Sequence, residues 1–266
     1  MRFASFVVFL GTVGAAVLSA QSAVLTLEQQ EDFLKKAKVT KTKAARGGIT
    51  GSLQATLSDG TLTHDAQIQS IDEAKSRFEG SRGVEMNFRD TYKFNIAGYR
   101  LAKLLGIRTV PPSVERTYEG KSSAFSWWVD DVLMEEGTRL KKKLTAPDAE
   151  RWNDQMYVVR VFDQLIYNTD RNLGNLLITK DWTIWMIDHS RAFRMSHTLL
   201  TEKNLAKCER HLLEAMKKLD MPTLQAAFGI YVTKPEIEGL LKRRDRIVSF
   251  FDKAGEASLY TITPWP

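Results

Sequence analysis

The sequence predicts an α+β fold in two lobes, a small β-rich N-lobe followed by a mostly helical C-lobe. Three observations predict it. The first half of the chain alternates in β fashion around a single well-formed helix. An acidic connector follows, Asp130-Asp131-Val132-Leu133-Met134-Glu135-Glu136-Gly137. The second half then runs as a long helix, a short apolar hairpin and further helices. The boundary is expected between 130 and 140, giving an N-lobe over 48–135 and a C-lobe over 136–266.

The chain opens with Arg2 and an uncharged run from Phe3 to Leu18, then the small residues Ser19, Ala20, Ser22 and Ala23. A positive start, an apolar core and small residues around a cleavage point predict a signal peptide over 1–22 and a secreted or periplasmic protein. An uncleaved anchor is the competing reading, but a span needs about 20 apolar residues. Residues 23–47 are expected as a short helix over 26–38, with Leu27, Phe33 and Leu34 inward, then a basic linker bearing glycine.

Ser52 to Ile71 alternates as two strands around the turn residues Ser58-Asp59-Gly60. Tyr92 to Leu105 carries a helical stripe of Phe94, Ile96, Ala97, Leu101, Leu104 and Leu105, and Gly106 ends it. Val110-Pro111-Pro112-Ser113-Val114 is extended, since a residue before proline is pushed out of the helical region. Ala124 to Val129 reads as a strand, with Trp127 and Trp128 expected in the core or between lobes. Pro147 to Tyr167 is a long helix with Trp152, Met156, Val159, Phe162 and Ile166 on one face. Leu176–Thr179 and Trp182–Ile187 make a hairpin across Lys180-Asp181, and helices are expected over 204–220 and 234–253.

The charge balance is mildly basic, with 38 Lys and Arg against 32 Asp and Glu, or +6. Loss of the signal peptide removes only Arg2 among charged residues, leaving about +5. The run Lys141-Lys142-Lys143 is expected as a solvated face, and no nucleic-acid recognition motif accompanies it. Cys208 is the only cysteine, so no intramolecular disulfide can form, and it is expected to pack in a core.

The chemistry concentrates in Tyr167-Asn168-Thr169-Asp170-Arg171-Asn172-Leu173-Gly174-Asn175 and in Ile187-Asp188-His189-Ser190. Asp170 follows a long helix and precedes a strand, a place from which a carboxylate can orient a hydroxyl and take its proton. An ordinary turn aspartate has the same local composition. Asn175 and Asp188 change the balance, because the hairpin between them brings its two ends side by side. Two oxygen ligands there, with phosphate oxygens and water, suffice for Mg2+ or Mn2+. Arg171 is expected to act beside Asp170 by bracing the loop or a neighbouring carboxylate, and His189 to be a bystander to the metal. Gly47-Gly48-Ile49-Thr50-Gly51-Ser52 is either a flexible linker or a loop whose N–H groups, around Gly48 and Gly51, cover phosphates.

The stretch from Lys93 to Phe193 resembles the kinase-like superfamily that includes phosphatidylinositol 3- and 4-kinases, HipA-like kinases and secretory-pathway kinases. It is also similar to small bacterial secreted members. The resemblance rests on Ile96-Ala97-Gly98-Tyr99-Arg100-Leu101, Leu104-Leu105-Gly106-Ile107, Val110-Pro111-Pro112, Asn168 to Asn175 and Ile187 to Phe193. It implies a protein-kinase-like fold, ATP with Mg2+ or Mn2+, Asp170 as base, Asn175 and Asp188 as metal ligands, and the acidic connector along the adenine pocket. Such kinases pair a strand Lys with a helix Glu near the phosphates. Here Gln69 and Asn95 stand at those positions, two amides able to hydrogen-bond one another. Lys75, Lys93 or Arg46 are the candidate replacements for the missing positive charge.

The first functional reading is thus transfer of the ATP γ-phosphate to an unknown hydroxyl on protein, sugar or lipid. The alternatives are a catalytically weak pseudokinase acting as a binding or scaffold protein, and a protein that transfers AMP instead.

Overall fold

A computed structural model describes residues 25–45, 51–80 and 83–263. The expected signal peptide over 1–22, Arg46 and Gly48 lie outside these residues.

Helix α1 (Leu27–Lys36) starts at a capping box: Thr26 Oγ1 accepts from Gln29 N–H at 3.2 Å, and Gln29 Oε1 accepts from Thr26 N–H at 2.8 Å. Strand β1 (Lys38–Ala44) follows where a linker was expected. The Val39, Thr40 and Thr42 side chains favour extended backbone, and Lys38, Lys41 and Lys43 keep the edge of the sheet in water. Strands β2 (Leu53–Ser58) and β3 (Thr63–Gln69) form the predicted hairpin, with Asp59 Oδ1 accepting from Thr61 and Leu62 N–H groups in the turn.

Strands β4 (Asp72–Gly80) and β5 (Gly83–Thr91) form a second antiparallel hairpin that pairs with no other strand among the described residues. Helix α2 (Lys93–Leu104) is next, ended by Gly106 at φ 76°. Strands β6 (Ser113–Tyr118) and β7 (Lys121–Trp127) complete an antiparallel sheet of order β1-β2-β3-β7-β6. Helix α1 closes one face of that sheet over Phe33, Leu34, Leu57, Ile68, Phe125 and Trp127.

In the acidic connector, Val132–Glu135 forms strand β8, which leads into the short helix α3 (Glu136–Lys141). Helix α4 (Ala149–Ile166) is capped by Asp148, whose carboxylate accepts from Arg151 N–H at 2.9 Å. Strands β9 (Leu176–Thr179) and β10 (Ile184–Met186) follow, giving the order β10-β9-β8. β10 is shorter than the expected 182–187, since Trp182 turns in the left-handed region.

The single helix expected over 204–220 is not formed. Cys208–Glu209 is instead a short strand, β11, whose Glu209 side chain caps helix α5 (Arg210–Lys217) at Leu212 N–H, 2.9 Å. Helix α6 (Met221–Phe228), capped by Asp220 with Pro222 in its first turn, was not anticipated. Helix α7 (Lys234–Ala254) and strand β12 (Leu259–Tyr260), parallel to β11, end the fold.

Helix α2, helix α4 and helices α5 to α7 share one core around Phe94, Phe162, Phe193, Phe228 and Phe251. Leu104, expected on the inner stripe of α2, is exposed instead. Each fully buried phenylalanine contributes about 2–3 kcal/mol of apolar burial. Cys208 lies in this core as expected. Arg243 of α7 is also fully buried, donating from Nε to Leu165 O at 2.9 Å and from Nη1 to Arg194 O at 2.8 Å. It thereby ties the end of α4 to the segment after β10. No helix among the described residues is long and apolar enough to cross a membrane.

Candidate active site

The site is built where α4 ends. Tyr167, at φ 53°, terminates the helix in the left-handed region. Asn168 is buried; its Nδ2 donates to Asp163 Oδ1 at 3.2 Å and its Oδ1 accepts from Asp170 N–H at 3.0 Å. That turn sets the direction of the Asp170 side chain.

Two chain segments are then zipped together. Thr169 N–H and Oγ1 both donate to Arg191 O, at 3.2 and 2.9 Å, and Phe193 N–H donates to Ile166 O at 2.6 Å. The β9–β10 register, Met186 opposite Leu176, continues outward through a bond from Ile187 N–H to Asn175 O at 3.0 Å. Asn175 and Asp188 therefore stand at neighbouring ends of one hairpin. Asn175 Nδ2 donates to Asp170 O at 3.2 Å, which joins all three residues. Asp188 has φ 53°, a conformation aspartate tolerates better than most residues, and its Oδ1 accepts from Ser190 N–H at 3.3 Å.

Arg171 lies behind this loop. Its Nε reaches Asp163 Oδ2 at 2.9 Å and its Nη2 reaches Asp163 Oδ1 at 3.0 Å. Nη1 donates to Asn175 O at 3.0 Å and to Ile187 O at 2.7 Å. One guanidinium thus holds α4, the Asn175 end and the Asp188 end in a fixed relation, as a planar fork of donors can. Nη2 also meets His189 Nε2 at 3.0 Å. Burial, and then the Arg171 charge, push the His189 pKa well below its ordinary value, so the imidazole is neutral and accepts there.

Gln69 and Asn95 meet. Asn95 Nδ2 donates to Gln69 Oε1, and Asn95 Oδ1 accepts from His189 N–H at 2.6 Å. The two residues are 2% and 6% exposed. The pair therefore acts from behind the site, linking β3 and α2 to the loop that carries Asp188. Gly98 allows this close approach, since a Cβ there would stand 3.2 Å from His189 Cγ. Of the candidate cations, Lys93 pairs with Asp72 at 2.7 Å and Lys75 with Glu73 at 2.9 Å. Gly51 precedes β2 at φ 69°, with open space around it.

The sequence reading missed the β4–β5 hairpin and what it brings. Thr91 N–H donates to Ser190 O at 2.9 Å, docking the end of β5 on the Asp188 loop. Arg191 and Arg194 reach Glu85 at 3.2 and 2.5 Å, and Arg191 lies 4.9 Å from the Phe88 ring centre. Arg191 also stands 3.9 Å from Asp170 Oδ1. Hairpin and C-lobe enclose a groove of about 1020 Å³, lined by Phe78, Met86, Phe88, Thr169, Asp170 and Arg191 among others.

Asp90 was also missed. Its carboxyl pKa is raised by burial, and further by the nearby charges of Asp188 and Asp170, with Ser190 and Arg191 acting the other way. Its Oδ1 is buried with no hydrogen-bond partner among the described residues. An all-oxygen set of Asp188, Asn175 and an orphaned carboxylate oxygen suits a hard divalent cation. Among the described residues no three His, Cys, Asp or Glu side chains form a ready metal cage. An ion here would complete its shell with phosphate oxygens and water.

No protein-family model and no curated protein sequence matches the chain. Solved structures do resemble it. Hydra Fam20 with sugar superposes at a TM-score of 0.66 with 14% identity, over 89% of this chain and 93% of that one. The Golgi casein kinase with Mn/ADP bound gives 0.60 and 12%, over 90% and 80%. The fold is therefore the two-lobed kinase-like fold, with a β-rich N-lobe and a mostly helical C-lobe.

Proposed function

We propose that the protein is a secreted kinase-like phosphotransferase that moves the γ-phosphate of ATP to a hydroxyl acceptor, with Mg2+ or Mn2+. The observation that carries this reading is the convergence of Asp170, Asn175 and Asp188 on two loops braced by Arg171. Asp170 orients the acceptor hydroxyl and takes its proton as transfer proceeds. Asn175, its nitrogen engaged with Asp170 O, has its amide oxygen for a metal, as Asp188 has its carboxylate. The ion, when bound, supplies positive charge against the nucleotide phosphates.

The acceptor enters through the groove beneath the β4–β5 hairpin, which ends at Asp170. The nucleotide lies between an N-lobe of 48–135 and a C-lobe of 136–266, near the connector. Manganese and ADP in the Golgi casein kinase support this choice of cofactors, and the sugar in hydra Fam20 keeps sugar hydroxyls beside protein and lipid as acceptor classes. Secretion rests on the signal-peptide pattern of residues 1–22.

The test is transfer from γ-labelled ATP, to the protein itself and to mixed acceptors, beside Asp170→Asn. The variant is expected to lose a factor of about 100 or more, the usual share of a positioned base. Transfer unchanged in Asp170→Asn overturns the reading. The buried Gln69–Asn95 pair favours a second reading, a pseudokinase, because two neutral amides replace the charged pair of an active kinase. That reading expects no transfer to any acceptor from a well-folded protein.

A further inference from the structure

Asp90, at the end of β5, lies close enough to Asp170, after α4, and to Asp188, after β10, to feel both of their charges. Asp170 and Asp188 were expected in the site. Asp90 was not, and it is the most enclosed, with only 8% of the residue exposed.

The backbone explains how it gets there. The bond from Thr91 N–H to Ser190 O fastens the end of β5 against the turn that follows Asp188. Ser190 is the hydrogen-bonding neighbour of the Asp90 carboxyl, and the same residue's N–H binds Asp188 Oδ1 at 3.3 Å. Asp90 and Asp188 thus flank one short turn.

A buried carboxylate oxygen ordinarily finds a donor, and Asp90 Oδ1 has none among the described residues. Arg191 and Arg194 are the cations acting on Asp90 among the described residues, and both are shared with Glu85, Arg191 also with Asp170. Asp90, Asp170, Asp188 and Glu85 against two guanidiniums leave two negative charges in excess, the charge of one divalent cation. Asn95, at the place of an expected helix carboxylate, brings no charge and gives its amide to Gln69 and His189.

We propose that Asp90 is a further ligand of the divalent cation at Asp188 and Asn175, the carboxylate that α2 lacks at Asn95 being supplied from the end of β5. The inference rests on the metal-nucleotide reading above. It makes the β4–β5 hairpin part of the metal site as well as a wall of the acceptor groove.

The test is a titration of the full chain with Mn2+, following the electron paramagnetic resonance signal of the free aquo ion, with and without a non-hydrolysable ATP analogue. Asp90→Asn, nearly isosteric, is compared with wild type and with Asp188→Ala, and circular dichroism with thermal melting in chelator checks the folds. Asp90→Asn is expected to weaken Mn2+ binding by about tenfold or more while its melt in chelator is no lower than wild type. Binding within twofold of wild type in Asp90→Asn, with binding lost in Asp188→Ala, overturns the inference and leaves the metal-nucleotide reading standing. No Mn2+ binding by the wild type under either condition overturns both.

Discussion

Replacing Arg171 by methionine keeps most of the apolar stem and removes the guanidinium that ties α4 to both ends of the β9–β10 hairpin. The Asp163 and Arg171 side chains are 11% and 12% exposed, so the variant leaves a carboxylate enclosed with only Asn168 Nδ2 beside it. Breaking such a pair from one side costs about 3–5 kcal/mol. Ile187 O and the buried His189 Nε2 lose their donors as well, for about 1 kcal/mol each, whereas Asn175 O keeps Ile187 N–H. The sum is about 5–7 kcal/mol, a large part of the roughly 5–15 kcal/mol that holds a domain folded. Urea unfolding of wild type, Arg171→Met, Asp163→Asn and the double variant measures it. The double variant is expected to be more stable than Arg171→Met, because no buried charge is left without a partner. A loss under about 1 kcal/mol in Arg171→Met, or strict additivity in the cycle, refutes the bracing role.

Two further predictions follow from buried polar groups. Asn95→Ala removes one bond to Gln69 and one from His189 N–H, leaving both partners buried, and is expected to cost about 2–4 kcal/mol in urea unfolding and to weaken metal binding by loosening the Asp188 loop. Unchanged stability would show that the amide pair does not hold the lobes to that loop. The Cys208 thiol is fully buried and its pKa is pushed up to about 12, first by burial and then by Glu209, so at pH 8 its thiolate fraction is about one in ten thousand. It is expected to react with a thiol reagent only as fast as the protein opens, with the rate rising towards that of a free thiol in urea. Prompt reaction in the native state would contradict this core placement.

How much of the site was legible depends on how each residue reaches it. Asn175 and Asp188 were readable because a hairpin closed by Lys180-Asp181 brings its two ends together by geometry alone. The meeting of Gln69 and Asn95 was readable as an exchange of one hydrogen-bonded pair for another. Asp90 was not, because it sits in a hairpin whose side chains are mostly exposed and give no alternating apolar signal. Strand β1 was lost among lysines for the same reason. In the C-lobe, Glu209 was hidden inside a helical stripe, although a buried acid capping α5 is what starts that helix two residues after Cys208 begins a strand. Helix α6 carried its own signal in Asp220 and Pro222, a cap followed by a first-turn proline. Local periodicity thus found most elements; the strands it missed in the N-lobe, β1, β4 and β5, are the ones whose mostly solvent-facing side chains carry no apolar alternation.

The central claim, a metal-dependent nucleotide site at Asp170, Asn175 and Asp188, is tested most directly by calorimetric titration of ATP into residues 23–266 with Mn2+, with Mg2+ and with chelator, beside Asp188→Ala. The account predicts binding that requires the metal and is lost in the variant. Binding of equal strength in chelator, or undiminished in Asp188→Ala, contradicts it.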